Sequence, residues 1–183
     1  SYGILLWRAL LQWVGGIGII VMAIAILPML SIGGMQLFKT ESYETPDKII
    51  PRAAIFASGI SIVYIILTSL WAFMLWFAGM PIFDSITHAM TTLATGGYST
   101  KSESLGAFNS VNIEMIIVFG MIVGSLPFIH YLSILKNGWK NLINDQQVKW
   151  FLLILIFLIS IVTFNLYING QNFFSSLRVS IFN

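Results

Sequence analysis

Long apolar runs separated by short polar joints dominate the pattern along the chain. Four runs lie at about 9–30, 53–79, 111–135 and 149–169. Each approaches or exceeds the roughly 20 residues that a helix needs to cross about 30 Å of hydrocarbon. The pattern therefore predicts an all-α membrane protein with four long transmembrane helices.

The stretch between the second and third runs has a different pattern. A moderately apolar segment begins at Pro81, ends at Leu93 and leads into a glycine-rich run, Ala94-Thr95-Gly96-Gly97-Tyr98-Ser99-Thr100. The segment 81–93 is too short to span a membrane but long enough for a half-helix that enters and turns back. We therefore expect one short re-entrant helix at 81–93, followed by a turn at 94–100.

Composition agrees with a membrane location and excludes several functions. Of the 183 residues, 57% are hydrophobic and 9% are charged, whereas soluble domains carry about 25% charged residues. Cysteine is absent, which excludes a disulfide framework and a thiolate metal site. His88 and His130 are too far apart in sequence to suggest a metal pair, and a net charge of +2 is too small to indicate nucleic-acid binding. The first residues lack the features of a signal peptide, so we expect none there.

Positive charges predict the orientation of the chain in the membrane. Six of the nine basic residues lie in the first joint and in the joint before the last run: Lys39, Lys48, Arg52, Lys136, Lys140 and Lys149. The positive-inside rule assigns these joints to the cytoplasm. Lys101 and Arg178 then lie on the outer side, with Arg8 near the start of the first run. The re-entrant segment enters from the outer face, and its helix points inward.

The glycine-rich turn has the residue types that bind a dehydrated cation through backbone oxygens. Gly96 and Gly97 permit backbone angles closed to other residues, and their missing side chains leave an axis clear. The C-terminal end of the preceding helix carries about half a negative charge, which favours a cation there. No acidic residue lies between Asp84 and Glu103, so a carboxylate ring is not available. The alternative is an ordinary extracellular hairpin, although a hairpin does not require an apolar approach helix.

Three ionisable residues near the turn have open interpretations. Asp84 lies in the first turn of the short helix, where a carboxylate suits the positive helix end. His88 follows one turn later and is interpreted as a packed side chain that braces the helix, the alternative being a pH sensor or ion ligand. Glu114 lies near the outer end of the third run and is a functional candidate, unless it is hydrated or paired with Lys101.

Three stretches of the chain resemble one family of bacterial transporters. They read WRALLQWVGGIGII at 7–20 with ILPML at 26–30 and GGMQL at 33–37; FDSITHA at 83–89 with ATGGYST at 94–100; and SLRVSIFN at 176–183. In this order they resemble the Trk/Ktr/HKT superfamily of potassium uptake proteins and are most similar to its TrkH branch. The resemblance covers nearly the whole chain.

The resemblance implies a fold of four repeated units, each comprising a transmembrane helix, a pore loop and a second transmembrane helix around one ion path. Residues 1–38 then form the second helix of the first unit and its cytoplasmic end, and 39–52 form a cytoplasmic linker. The complete second unit occupies 53–136, with helix 53–79, pore helix 81–93, filter 94–100 and helix 109–136. A second linker spans 137–148, and 149–183 form the first helix of the third unit and the start of its pore helix.

The resemblance also implies a function and a set of site residues. Potassium would enter across the bacterial cytoplasmic (inner) membrane through a selectivity filter. The filter would comprise Thr95, Gly96, Gly97 and Tyr98, with K⁺ bound at the carbonyls of Ala94, Thr95, Gly96 and Gly97 and with Asp84 and His88 supporting the pore helix. Implied partners are membrane lipid, a second copy in a homodimer and a cytosolic TrkA-like nucleotide-binding regulator, and no cofactor is expected besides the transported K⁺. The turn matches the Thr-Val-Gly-Tyr-Gly filter of ordinary potassium channels only around its central glycine.

Other functions are weighed against potassium uptake. A secondary transporter could bind another cation or a small solute at a broken helix. A membrane-embedded enzyme lacks a Ser/His/Asp set, a metal-ligand cluster or a carboxylate pair at membrane depth. A purely structural anchor leaves the re-entrant segment without a reason. We therefore expect a transporter rather than an enzyme.

Overall fold

The computed structural model describes residues 1–30 and 46–182, and the regular elements in these ranges are all helical. Eight α-helices lie within them: α1 (Tyr2–Leu30), α2 (Pro46–Phe77), α3 (Ile82–Leu93), α4 (Val111–Ser125), α5 (Phe128–Asn137), α6 (Lys140–Asn144), α7 (Gln146–Ile168) and α8 (Phe173–Phe182). A 3₁₀ turn, Ser104–Phe108, precedes α4. The prediction of an all-α fold is confirmed.

Three helices in the described ranges are long and apolar enough to cross a membrane. Their spanning portions are Tyr2–Ile19, Ala57–Phe77 and Gln146–Ile168. These portions overlap the first, second and fourth apolar runs, as expected for a membrane protein. The segment predicted as a short helix at 81–93 is α3, which has 12 residues.

The third run does not form one helix, so the prediction of a continuous helix over 109–136 is wrong. The chain leaves helical geometry at Leu126 (ψ 148°) and Pro127 (ψ 119°) before α5 begins. Pro127 has no amide hydrogen and disfavours helical angles at the residue before it. The carbonyl of Val123, four residues before this proline, instead accepts a hydrogen bond from Tyr131 Oη at 2.6 Å. The tyrosine therefore stabilises the break that the proline causes.

The described part of the predicted first linker, 39–52, is helical rather than a connecting segment. Residues 39–45, like residues 31–38 of the preceding segment, lie outside the described ranges, while residues from Pro46 onward belong to α2. A proline is tolerated in the first turn of a helix because amides there need no intrahelical partner. In the predicted second linker, 137–148, the short helix α6 is followed at once by α7.

The hydrophobic core surrounds the short helix α3. This helix contacts α1, α2 and α4, and its Ala89 and Leu93 belong to a cluster of buried residues supplied mainly by α2 and α4. Outside this cluster, α7 contacts α6 and α8, and Val148 and Thr163 are its buried residues. The fold therefore encloses α3 on several sides and leaves most of α7 facing outward.

Two glycines allow neighbouring helices to approach the C-terminal end of α3. A Cβ at Gly16 of α1 would lie 3.2 Å from the Cβ of Ala94, and one at Gly124 of α4 would lie 2.9 Å from the carbonyl oxygen of Leu93. The end of α3 is therefore held between α1 and α4, which fixes the position where the glycine-rich turn begins.

Candidate ion-binding turn

The glycine-rich turn (residues 94–100) starts from a closed helix ending. The amide of Thr95 donates to the carbonyl of Thr92 at 3.0 Å, and the amide of Gly96 donates to the carbonyl of Thr91 at 2.8 Å. Thr95 between them has a φ of +51°. These bonds and this angle make a Schellman motif. The chain therefore leaves α3 in one defined direction.

Positive φ angles occur twice in the turn, at Thr95 and at Gly97 (+66°). A left-handed angle costs a β-branched residue roughly 1–2 kcal/mol, so the surrounding contacts must impose it at Thr95. Glycine adopts the angle freely, and no atom lies within 4 Å of a Cβ built at Gly97. The requirement for glycine at position 97 is therefore conformational rather than steric.

Three polar side chains of α3 hold the segment that leaves the turn. Thr91 Oγ1 donates to the carbonyl of Tyr98 at 2.9 Å. His88 Nε2 lies 3.0 Å from Ser99 Oγ, and Thr100 Oγ1 donates to Asp84 Oδ1 at 2.6 Å. The helix residues 84, 88 and 91 share one face because they follow the helical period. Successive residues 100, 99 and 98 are thus each held by a successive turn of α3.

The protonation of His88 follows from its two contacts. Its Nδ1 lies 2.8 Å from the carbonyl oxygen of Asp84, which can only accept, so Nδ1 carries the proton. In the neutral ring Nε2 is then the acceptor, and the Ser99 hydroxyl donates to it. Ser99 Oγ also accepts the amide of Lys101 at 3.2 Å. His88 therefore connects the helix backbone to the turn and has no free nitrogen for a cation.

Asp84 carries a buried charge that is paired within the same site. Its side chain is 6% exposed, and Lys101 Nζ lies 3.1 Å from Oδ2. Thr100 occupies the other carboxylate oxygen. A buried carboxylate is costly unless it is paired and hydrogen-bonded, and both conditions are met here. Asp84 therefore joins the first turn of α3 to the far end of the glycine-rich turn.

The carbonyls of the turn differ in their hydrogen-bonding partners. The carbonyl of Tyr98 accepts from Thr91, and that of Gly96 accepts from Gln12 Nε2 of α1 at 3.4 Å. Within the described residues, no hydrogen bond reaches the carbonyls of Thr95 or Gly97. Both residues are exposed and line a cavity of about 250 Å³. Two carbonyls of the turn are therefore without a hydrogen-bond donor from the described residues.

The structure brings the site residues named from the sequence together and adds others. Asp84, His88 and residues 94–98 form one cluster, whose role in ion binding stays a prediction. Thr91 was missed, although its spacing of seven from Asp84 and three from His88 places it on the same helix face, which is a usable signal. Gln12 and Arg8 of α1 were missed as well; the guanidinium of Arg8 lies 4.3 Å from the centre of the Tyr98 ring. No local pattern connects residues so distant in sequence.

Glu114 has a different partner from the one considered above. Lys101 pairs with Asp84, and Glu114 instead forms two hydrogen bonds of 2.7 Å with the guanidinium of Arg178. This geometry is the bidentate arrangement that gives the strongest carboxylate–arginine pairs. The pair ties the start of α4 to the middle of α8.

Comparison with known proteins gives consistent matches over the whole chain. Residues 1–177 match a family described as "TrkH: Cation transport protein". The Trk system potassium uptake protein TrkI of Halomonas elongata is 41% identical, over 100% of this chain and 37% of its own length. TrkH of Escherichia coli is 39% identical, over 98% of this chain and 38% of its own length.

A solved structure supports the same assignment. The crystal structure of the potassium transporter TrkH from Vibrio parahaemolyticus matches with a TM-score of 0.83 and 32% identity, over 99% of this chain and 37% of the other. The chain thus spans a little over a third of the length of the proteins that it matches.

Proposed function

This chain belongs to the TrkH family of cation transport proteins, and we propose that it forms part of the ion path of a potassium uptake protein. The relatives are named Trk system potassium uptake proteins. This chain corresponds to just over a third of each, so transport is an activity of a larger whole to which these residues contribute. The function is movement of an ion rather than chemistry on a substrate.

The turn at residues 94–98 is the proposed selectivity filter. The observation that carries this proposal is a glycine-rich turn with left-handed angles at the end of a buried short helix, in which the carbonyls of Thr95 and Gly97 accept no hydrogen bond from the described residues. Backbone oxygens replace the hydration shell of K⁺ in potassium-selective pores. The carbonyls of Ala94, Thr95, Gly96 and Gly97 are the proposed ligands, and those of Ala94 and Gly96 each accept one hydrogen bond, from Thr95 Oγ1 and Gln12 Nε2. Tyr98 completes the proposed filter, with its carbonyl held by Thr91.

Two electrostatic effects favour a cation at this turn. The C-terminal end of α3 points at it, and a helix end of this kind carries about half a negative charge. The membrane potential adds about 2.3 kcal/mol per 100 mV for each charge that crosses, which drives K⁺ inward. Two residues of α3 support the proposed filter. Asp84 contacts Thr100 and Lys101, and His88 contacts Ser99.

The architecture of the whole transporter follows from the family pattern. In this proposal α2, α3, the turn and α4–α5 form the second of four repeated units, α1 completes the first, and α7 with α8 begins the third. The protein lies in the bacterial cytoplasmic membrane as a homodimer, in contact with lipid and with a cytosolic TrkA-like nucleotide-binding regulator. The positive-inside rule supports a cytoplasmic location for the two basic joints, and Lys101 and Arg178 then lie on the outer side.

The filter is tested by replacing Gly97 with serine in the full-length transporter that carries this segment. Serine strains the backbone at a φ of +66°, so we expect the ratio of rubidium to sodium uptake to fall about tenfold. The measurement uses cells that lack their own potassium uptake.

Gly170→Ser is the matched control for this test. Gly170 also has a positive φ (+88°) and open space around its Cβ position, but it lies between α7 and α8, away from the turn. An unchanged rubidium-to-sodium ratio in Gly97→Ser, at normal membrane levels, contradicts the assignment. Uptake of an organic solute without potassium flux would favour the secondary-transporter alternative.

A further inference from the structure

One face of α1 packs along the glycine-rich turn and contacts every second residue of it. Arg8 lies over the ring of Tyr98, Gln12 donates to the carbonyl of Gly96, and Gly16 lies against Ala94. Residues 8, 12 and 16 are spaced by four, so they lie on one face of α1. This face therefore contacts residues 98, 96 and 94 in order.

Gln12 makes the central contact on this face. Its Nε2 lies 3.4 Å from the carbonyl oxygen of Gly96, a long hydrogen bond between residues 84 positions apart in sequence. The three atoms nearest to a Cβ built at Gly96 all belong to the Gln12 carboxamide, with Cδ at 2.7 Å. Gly96 has no positive φ that requires glycine. Gln12 is therefore the reason why position 96 has no room for a side chain.

The presence of a glutamine at position 12 has a cost that packing does not explain. Its Oε1 is buried and has no hydrogen-bond partner in the part of the chain that the structure describes. A buried polar atom left without a partner is unfavourable, and an apolar residue of similar size would avoid this. The hydrogen bond to Gly96 is the contact that the amide provides and an apolar residue cannot.

We propose that Gln12 is a positioning residue of the filter, through which α1 sets the direction of the Gly96 carbonyl and so contributes to the discrimination between K⁺ and Na⁺. A carbonyl oxygen has two lone pairs. The Gln12 amide uses one of them and leaves the other for a cation. Discrimination between alkali ions depends on the number and arrangement of such oxygens. This inference rests on the proposed function of the turn.

The first test removes the amide of Gln12, with leucine keeping most of the side-chain bulk and alanine removing it. Gln12→Leu and Gln12→Ala are expressed as full-length transporters, and the rubidium-to-sodium uptake ratio is measured. We expect both ratios to fall about fivefold, the effect of losing one hydrogen bond, with normal protein levels in the membrane. Leu11→Ala is the control because Leu11 is its neighbour on α1 and is 55% exposed; its ratio stays unchanged.

The second test uses the steric relation between the two residues. Gly96→Ala alone places a methyl group against the Gln12 carboxamide, which must rotate away and lose its hydrogen bond to Gly96. The rubidium-to-sodium ratio is therefore expected to fall about fivefold, as in Gln12→Ala. In the double variant no carboxamide is left to displace, so its ratio should equal that of Gln12→Ala, whereas two residues that acted independently would give additive losses.

The outcomes separate this inference from the proposed function. If both Gln12 variants keep the parental ratio, or if the losses in Gly96→Ala and Gln12→Ala add in the double variant, the role of Gln12 is overturned. If Gly97→Ser lowers the ratio in the same assay, the filter assignment stands without Gln12. If neither Gly97 nor Gln12 variants change the ratio, the proposed function is overturned as well.

Discussion

The helices α3 and α7 differ in length, in polarity and in how many of their residues are buried. Eight of the 12 residues of α3 are buried, and six of these have polar side chains: Asp84, Ser85, Thr87, His88, Thr91 and Thr92. By contrast, α7 has 23 residues, of which Val148 and Thr163 are buried. The shorter and more polar helix thus lies inside the protein, and the longer and more apolar helix faces outward. Among the described residues, high hydrophobicity therefore does not mark a position in the core.

The difference has a physical basis in what replaces water around each helix. Polar groups away from water cost several kcal/mol unless they are hydrogen-bonded, so the buried side chains of α3 require fixed partners. The apolar surface of α7 needs only lipid chains, which are as apolar as leucine. Contacts around α3 should therefore tolerate little change, and those of α7 much more.

The largest effect is expected for Gly124→Ala, which adds a methyl group where α4 touches the end of α3. The new Cβ would lie 2.9 Å from the carbonyl oxygen and 3.2 Å from the Cα of Leu93. These are backbone atoms that cannot rotate away. Overpacking of this kind costs about 1–3 kcal/mol, and displacement of the turn should lower rubidium uptake at least tenfold.

Gly18→Ala is the matched control for this substitution. Gly18 is also a helical glycine, but no atom lies within 4 Å of its Cβ position. Uptake and membrane levels of this variant should equal those of the parent. Comparable losses in both variants would show that helix composition, rather than contact with α3, determines the effect.

The sequence predicted where the two helices lie along the chain better than it predicted which residues surround them. The length of an apolar run indicates whether a helix can span a membrane, so α7 and the spanning part of α2 could be located from it. The same criterion failed at Pro127, where a local steric effect of proline interrupts an apolar run that is long enough to span. Run length cannot register such a break, although the proline was visible.

The candidate site was predictable only where its chemistry is local. Gly96 and Gly97 are adjacent and follow a short helix, so the turn was visible in the sequence. The partners that hold it come from two helices, and Gln12 lies 84 residues from Gly96. Such contacts depend on how α1 packs against α3, which no local pattern determines. The sequence also could not distinguish the conformational reason for Gly97 from the steric reason for Gly96.

An intermediate effect is expected for Thr91→Val in α3. Valine has nearly the same shape as threonine, but it loses the hydrogen bond from Thr91 Oγ1 to the carbonyl of Tyr98. The loss of one such bond costs about 1 kcal/mol, so the rubidium-to-sodium ratio should fall about fivefold at normal protein levels. Thr91→Ser keeps the hydroxyl and should retain most of the discrimination. A parental ratio in Thr91→Val would mean that α3 does not set the geometry of the turn.

Thr163→Val makes the same substitution in α7 and should have the smallest effect. It should keep the stability of the protein or raise it slightly. Thr163 is buried, yet its Oγ1 has no hydrogen-bond partner among the described residues. Replacing an unpaired buried hydroxyl by a methyl group is neutral or stabilising, because no bond is lost and a desolvation cost is removed. We expect Thr163→Val to keep the parental ion ratio and to unfold at the same temperature or slightly higher. Thermal unfolding of the purified transporter in detergent measures this.

If Thr163→Val lowers the unfolding temperature as much as Thr91→Val does, then Thr163 meets a polar partner in the assembled transporter. In that case α7 is a packed element like α3, and its apolar surface does not mark it as lipid-facing.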